Sequence, residues 1–195
     1  MTAVISIGTE TEHECHKQKI LGNSIMNSEM KDGMTAAMAA DNGWITDMVP
    51  QKEPMRFIDA VEQVDIENRT VTCSFTPGAR PCAGFSEEKG GMPAVCLTET
   101  MAQSIAALMI AEEGRSGKGF KIGFILSVRK MMFHGESILP AGLKVLSTAR
   151  ITFEDDAGVC MAETEVTEAD TGKKLAEARI TVMKPNDAHI ARMFG

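Results

Sequence analysis

The chain reads as an α+β domain in which one long helix is covered by a curved antiparallel sheet. Three observations predict this. Apolar residues alternate on either side of the polar Glu67-Asn68-Arg69; the stretch MPAVCLTETMAQSIAALMIAEEG at 92–114 has the spacing of a helix; and four more alternating runs follow it. Two strands, a helix and four strands leave a single helix that only a wrapped sheet can bury.

The first pair of strands carries Ile58, Ala60, Val64 and Ile66, then Val71, Cys73 and Phe75, and the short polar link makes it a hairpin. Residues 77–91 are a glycine-rich loop. Pro93 suits a first helical position, Leu97, Met101, Ile105 and Leu108 form one apolar stripe, and Gly114 is placed to end the helix. The later strands read as Phe120 to Val128, Leu143 to Phe153, Cys160 to Val166 and Ala176 to Val182. The turns Asp155-Asp156-Ala157-Gly158 and Asp170-Thr171-Gly172 make the last three an antiparallel meander with one buried face.

With 195 residues, 44% of them hydrophobic, the chain fits one domain at 44–185, with an irregular extension at 1–43 and a short tail at 186–195. No apolar run approaches the roughly 20 residues of a membrane span, because Glu99, Gln103 and Ser104 interrupt the helix. The expected location is the cytoplasm: no basic start leads into an apolar stretch, and the five cysteines show no disulfide pattern. A net charge of −7 argues against nucleic acid as a partner. His13-Glu14-Cys15-His16 lacks a zinc spacing, and no phosphate loop is present, so neither metal nor nucleotide cofactor is expected.

One carboxylate, Glu99, sits in the first turns of the apolar helix, with Gln103 one turn later on the same face. Two readings stand side by side. The carboxylate complements the helix dipole, or it flanks a substrate whose carbonyl rests on the N–H groups of Ala94 and Val95 at the helix start.

The segment Pro93-x5-Glu99-x-Met101-Ala102-Gln103 resembles the hotdog-fold β-hydroxyacyl-acyl carrier protein dehydratases, and in particular the FabZ-like dehydratases of the ApeP type from aryl polyene pathways. MVPQKEPMRFIDAVEQVD at 48–65 is similar to that family's leading Leu-Pro-His-Arg-x-Pro-Met segment, and KIGFILSVRKMMFHGESILPAGLKV at 121–145 to its glycine-bearing strand and Pro-x-Gly turn. The resemblance implies a helix enclosed by a sheet, subunits paired edge to edge as a homodimer or higher oligomer, and an acyl thioester carried on acyl carrier protein or coenzyme A. It also implies that Glu99 acts on the substrate, with Gln103 orienting it and Gln51, Met55 and Phe85 beside it.

The family divides its proton transfers between a histidine and the helix carboxylate. Here Phe85 stands where the His-Phe-Pro-Gly histidine would fall, and Gln51 where the leading histidine would; neither accepts a proton near neutral pH. Three functions follow. The first is a dehydratase with Glu99 as both acid and base, or helped by His134 across a dimer. The second is a thioesterase in which Glu99 activates water. The third is a non-catalytic subunit that binds an acyl group or supports an active partner. Arg115, Lys118 and Lys121, with Arg129 and Lys130, are candidates for a basic rim that docks an acidic carrier.

Overall fold

The computed structural model describes residues 42–116 and 123–184. The His13–His16 block, most of the N-terminal extension, Lys118, Phe120, Lys121, Ile122 and the C-terminal tail lie outside the described residues.

The elements in order are α1 (Gly43–Met48), β1 (Ala60–Asp65), β2 (Thr70–Phe75), β3 (Gly91–Pro93), a single 3-10 turn (Ala94–Cys96) and α2 (Leu97–Ser116); then β4 (Phe124–Phe133), β5 (Ile138–Pro140), β6 (Val145–Glu154), β7 (Val159–Glu168) and β8 (Lys174–Met183). Six strands form one sheet in the order β1-β2-β6-β7-β8-β4, with every pairing antiparallel, and β3 pairs with β5 in a separate two-stranded piece. The predicted hairpin and meander are both present. Asp65 closes the hairpin by accepting the Asn68 N–H at 3.0 Å, and Arg69 takes φ 51 to complete the reversal.

α2 lies against the concave face of the sheet. Leu97, Met101, Ile105 and Leu108 are buried as predicted, but so are Thr100, Gln103, Ser104, Ala107, Met109, Ile110 and Ala111. The helix is therefore enclosed on most sides and not along a single stripe. Its buried Ser104 hydroxyl donates to Thr100 O at 2.8 Å and meets Ser147 Oγ of β6 at 2.9 Å, which satisfies the polar group inside the core. By length and composition Ala94–Gly114 is apolar enough to cross a membrane, contrary to the expectation from its polar interruptions, yet 67% of it is buried inside the fold.

Three further sequence expectations are corrected. Gly114 does not end α2, which continues to Ser116; a Cβ there would lie 2.4 Å from the Trp44 ring, so the glycine exists to let α1 pack on the helix. Phe153 is 52% exposed because the β6–β7 register shifts between Ile151 and Phe153 and turns it outward. Pro93 ends a strand and does not open the helix, since β3 must remain extended to pair with Ile138–Pro140. That pairing also explains Gly91, where a Cβ would fall 2.0 Å from Leu139 O.

Beyond the core, Arg69 ties sheet to helix. Its guanidinium donates two bonds to Glu112 of α2, at 2.7 and 3.0 Å, and also pairs with Glu154 of β6.

Candidate active site

Glu99 lies in the first turn of α2, half-buried, and its surroundings are built from three separate pieces of chain. Gln103, one turn on and fully buried, has every polar atom engaged. Its Nε2 donates to Glu99 Oε1 at 2.8 Å and to Met55 O at 2.7 Å, and its Oε1 accepts the Phe57 N–H at 2.7 Å. One amide side chain thus fixes the carboxylate and the 55–57 segment relative to each other. Gln103 is a positioning residue, because both of its N–H donors are spent within the protein.

The segment it grips is held from the other side too. Ala83 N donates to Pro54 O at 2.7 Å, and Arg80 donates to Asp59 Oδ1 and to Ile58 O, each at 2.6 Å. Lys52 Nζ donates to Asp47 O at 3.1 Å, at the C-terminal end of α1, and so anchors the chain beside Gln51.

These constraints leave a narrow cleft of about 50 Å³ along one side of α2. Pro50, Gln51, Glu99, Ala102, Ile105, Ala106, Met109 and Val182 line it, and Gly123, Phe124 and Ile125 at the start of β4 form its open side. It has room for water or one arm of a ligand. The carboxylate stands at one end with Gln51 on the same wall; the rest of the wall is small or apolar. Gln51 Oε1 is buried here without a hydrogen-bond partner, and an orphaned acceptor of that kind calls for a donor from a ligand or an ordered water.

Glu99 and Gln51, offered by the sequence as site residues, line this cleft and Gln103 bonds Glu99, whereas other expectations fail. The N–H of Ala94 already donates to Ser137 O at 2.8 Å, because the extended β3 carries the chain past β5 before the helix begins, so it cannot receive a thioester oxygen. Val95, on the same 3-10 turn, turns its side chain outward, 62% exposed, and is not among the cleft residues. Met55 is 48% exposed and meets the site only through its carbonyl. Phe85 packs over Gly78, where a Cβ would sit 2.8 Å from its ring, and is not among the cleft residues. His134 approaches Glu177 at 3.3 Å next to β8; Glu177 alternates with the buried Ala176 and Ala178, so the pair lies on the sheet face opposite α2. Two of the thiols are unsuited to nucleophilic work: burial pushes Cys73 up to about 12 and Cys160 up to about 11. Ala102, Ala106 and Met109 were missed as cleft residues, although their spacing from Glu99 at i+3, i+7 and i+10 puts them on its face of the helix.

Residues 44–193 match the family model described as ApeP-like, the ApeP dehydratases. A 3-hydroxyacyl-[acyl-carrier-protein] dehydratase FabZ from Staphylococcus saprophyticus is 29% identical over 94 residues, which is 48% of this chain and 63% of that relative's length. Among solved structures, the dehydratase heterocomplex ApeI:P from Xenorhabdus doucetiae superposes with a TM-score of 0.67 at 20% identity, covering 77% of this chain and 97% of that one. A sigma28-regulated virulence protein from Campylobacter jejuni gives 0.56 at 13% identity over 78% and 95% of the two chains. The helix laid in a curved antiparallel sheet is the hotdog fold, and with the family match spanning nearly all of the described residues, this chain belongs to the ApeP-like dehydratase family.

Proposed function

We propose that the protein dehydrates β-hydroxyacyl thioesters borne on acyl carrier protein or coenzyme A, with Glu99 as the group that moves the proton. The observation that carries this is a carboxylate held by Gln103 at the end of a cleft whose wall is small or apolar apart from Gln51. The acyl chain lies along Ala102, Ala106 and Met109. Glu99 takes the proton from the carbon beside the thioester carbonyl, the carbon–carbon double bond forms, and the same carboxyl group returns a proton to the β-hydroxyl, which leaves as water. Gln51 Oε1 accepts a hydrogen bond from that hydroxyl before it departs.

The cleft is open along β4, the edge strand of the sheet, and β4 exposes Ile125, Val128 and Phe133 on the side that α2 occupies. A second hotdog subunit paired along this edge closes the site. No histidine lines the cleft among the described residues, which supports a second reading in which the paired subunit is a different hotdog chain that supplies the base. A positioned base is typically worth about 10²- to 10⁴-fold.

Hydration of a crotonyl thioester by the purified protein, followed alongside free-thiol release, tests the proposal. Wild type is expected to hydrate without releasing thiol, and Glu99→Gln to lose that activity. Thiol release in place of hydration identifies a thioesterase, and inactivity alone that is restored by a second hotdog chain identifies the partner-dependent form.

A further inference from the structure

Along the side of α2 that bears Glu99 the next residues are Ala102, Ala106, Met109 and Glu113, at intervals of three or four. The two alanines are half-buried, so the cleft is open above them, whereas Met109 is 3% exposed. Met109 is the first long side chain on this floor beyond the carboxylate. A helical side chain leans toward the preceding turn, which sets the Met109 thioether across the end of the open floor. The opposite wall changes character at the same level. Val182 of β8 lines the cleft, and Lys184, two residues on and reaching toward the helix, stands 3.8 Å from Glu113 and 3.6 Å from Glu112. The trough thus runs from one carboxylate to a thioether backed by ion pairs.

Two magnitudes bound what can lie in it. From Glu99 to Ala106 the helix rises about 10 Å. An extended chain advances about 1.2 Å per bond, which allows about eight carbons beyond the one that faces Glu99. Volume is the tighter limit. The cleft holds about 50 Å³, and a water-sized group needs about 10–15 Å³ of such space, so about three to five carbons fit. A longer chain would press past Met109 against Lys184 and its carboxylates, stripping water from charged groups without replacing it.

We infer that Met109 is the residue that sets substrate length, and that the protein takes acyl groups of at most about six to eight carbons. The inference rests on the reading that Glu99 meets the carbon bearing the β-hydroxyl. Beyond the carbonyl, α and β carbons, about three to five more then bring the chain to the thioether. Met109 stands at the far end of the chain from the reacting carbons, so it governs which substrates enter and takes no part in moving the proton.

Titration calorimetry of the full chain with S-butyl, S-hexyl, S-octyl and S-decyl pantetheine tests this. These thioethers carry the arm common to coenzyme A and acyl carrier protein, and they lack the carbonyl, so they cannot react. Affinity is expected to rise about two- to fourfold per added carbon up to octyl and to gain nothing at decyl. Met109→Ala removes most of the stop and is expected to bind the decyl compound about tenfold tighter than wild type does. Ala106→Leu fills the open floor and is expected to hold affinity flat beyond butyl, which keeps the test decisive should Met109→Ala fail to fold. Continued gain through decyl in wild type, decyl affinity unchanged in Met109→Ala, wild-type length dependence in Ala106→Leu, or no binding at any length overturns the inference. The catalytic reading fails separately. Length-limited binding by a protein that hydrates no crotonyl thioester removes the dehydratase and leaves the limit, whereas hydration with no length dependence of binding removes the limit alone.

Discussion

At the scale of the residue, the contrast between Gln103 and Gln51 separates support from chemistry. Gln103 engages both of its side-chain polar atoms with Glu99, Met55 and Phe57, whereas Gln51 keeps a buried acceptor with no partner. Gln103→Leu preserves volume but orphans the Phe57 N–H and the Met55 carbonyl at about 1–3 kcal/mol each. It is expected to lower unfolding free energy by roughly 2–6 kcal/mol in a urea titration and to weaken hydration as the carboxylate loses its anchor. Gln51→Leu breaks no recorded bond, so its stability should hold or rise slightly while kcat/KM for hydration falls; a fall in stability equal to that of Gln103→Leu would contradict the assignment. Glu99 and Gln103 were legible at this scale because i, i+4 spacing dictates adjacency on a helix. The spent Ala94 amide was not, because its acceptor, Ser137, is remote in sequence.

At the scale of the element, α2 is fastened at both ends. Gln103 holds its first turns to the 55–57 segment, and Arg69 clamps the last turns to the hairpin and to β6 through Glu112 and Glu154. Lys184 stands 3.6 Å from Glu112 and 3.7 Å from Glu154, completing the cluster. Burial of Glu154 opposes its charged form, but the Arg69 bond and the charges of Lys184 and Arg69 outweigh it and hold the carboxyl below its usual value of 4.5. A depressed carboxyl stabilises the fold fully above its ordinary value, and that contribution disappears as pH falls through the lower folded value. Arg69→Met keeps the packed stem and removes the charge. It is expected to cost about 1–2 kcal/mol at pH 7 and less at pH 3, read by denaturant unfolding at the two pH values. The long helix and the longer strands were plain in the periodicity, while β3, β5 and α1 were not, since a three-residue strand holds too few side chains to alternate and a six-residue helix too few to repeat its face.

At the scale of the whole molecule, the proposed pairing along β4 bears on the site. β4 is an edge strand with large apolar side chains in solvent, a condition that soluble proteins normally relieve by pairing. Val128 projects from β4 toward the helix side and is 38% exposed. Val128→Glu places a charge in that seam, and molar mass by light scattering is expected to fall as edge pairing is lost, with hydration lost together with it. Retained mass would remove β4 from the assembly. The cleft opens at Gly123–Ile125, beside this edge.

Taken alone, the sequence determined the α+β layout, the hairpin, the meander and the face of α2 that carries Glu99, because alternation and helical spacing are local properties written in neighbouring residues. Tertiary structure alone decided which backbone amides were already spent, which face of the sheet received His134, and where the cleft opened. Those depend on residues such as Ser137 and Glu177, distant along the chain and joined only once the sheet has closed around the helix.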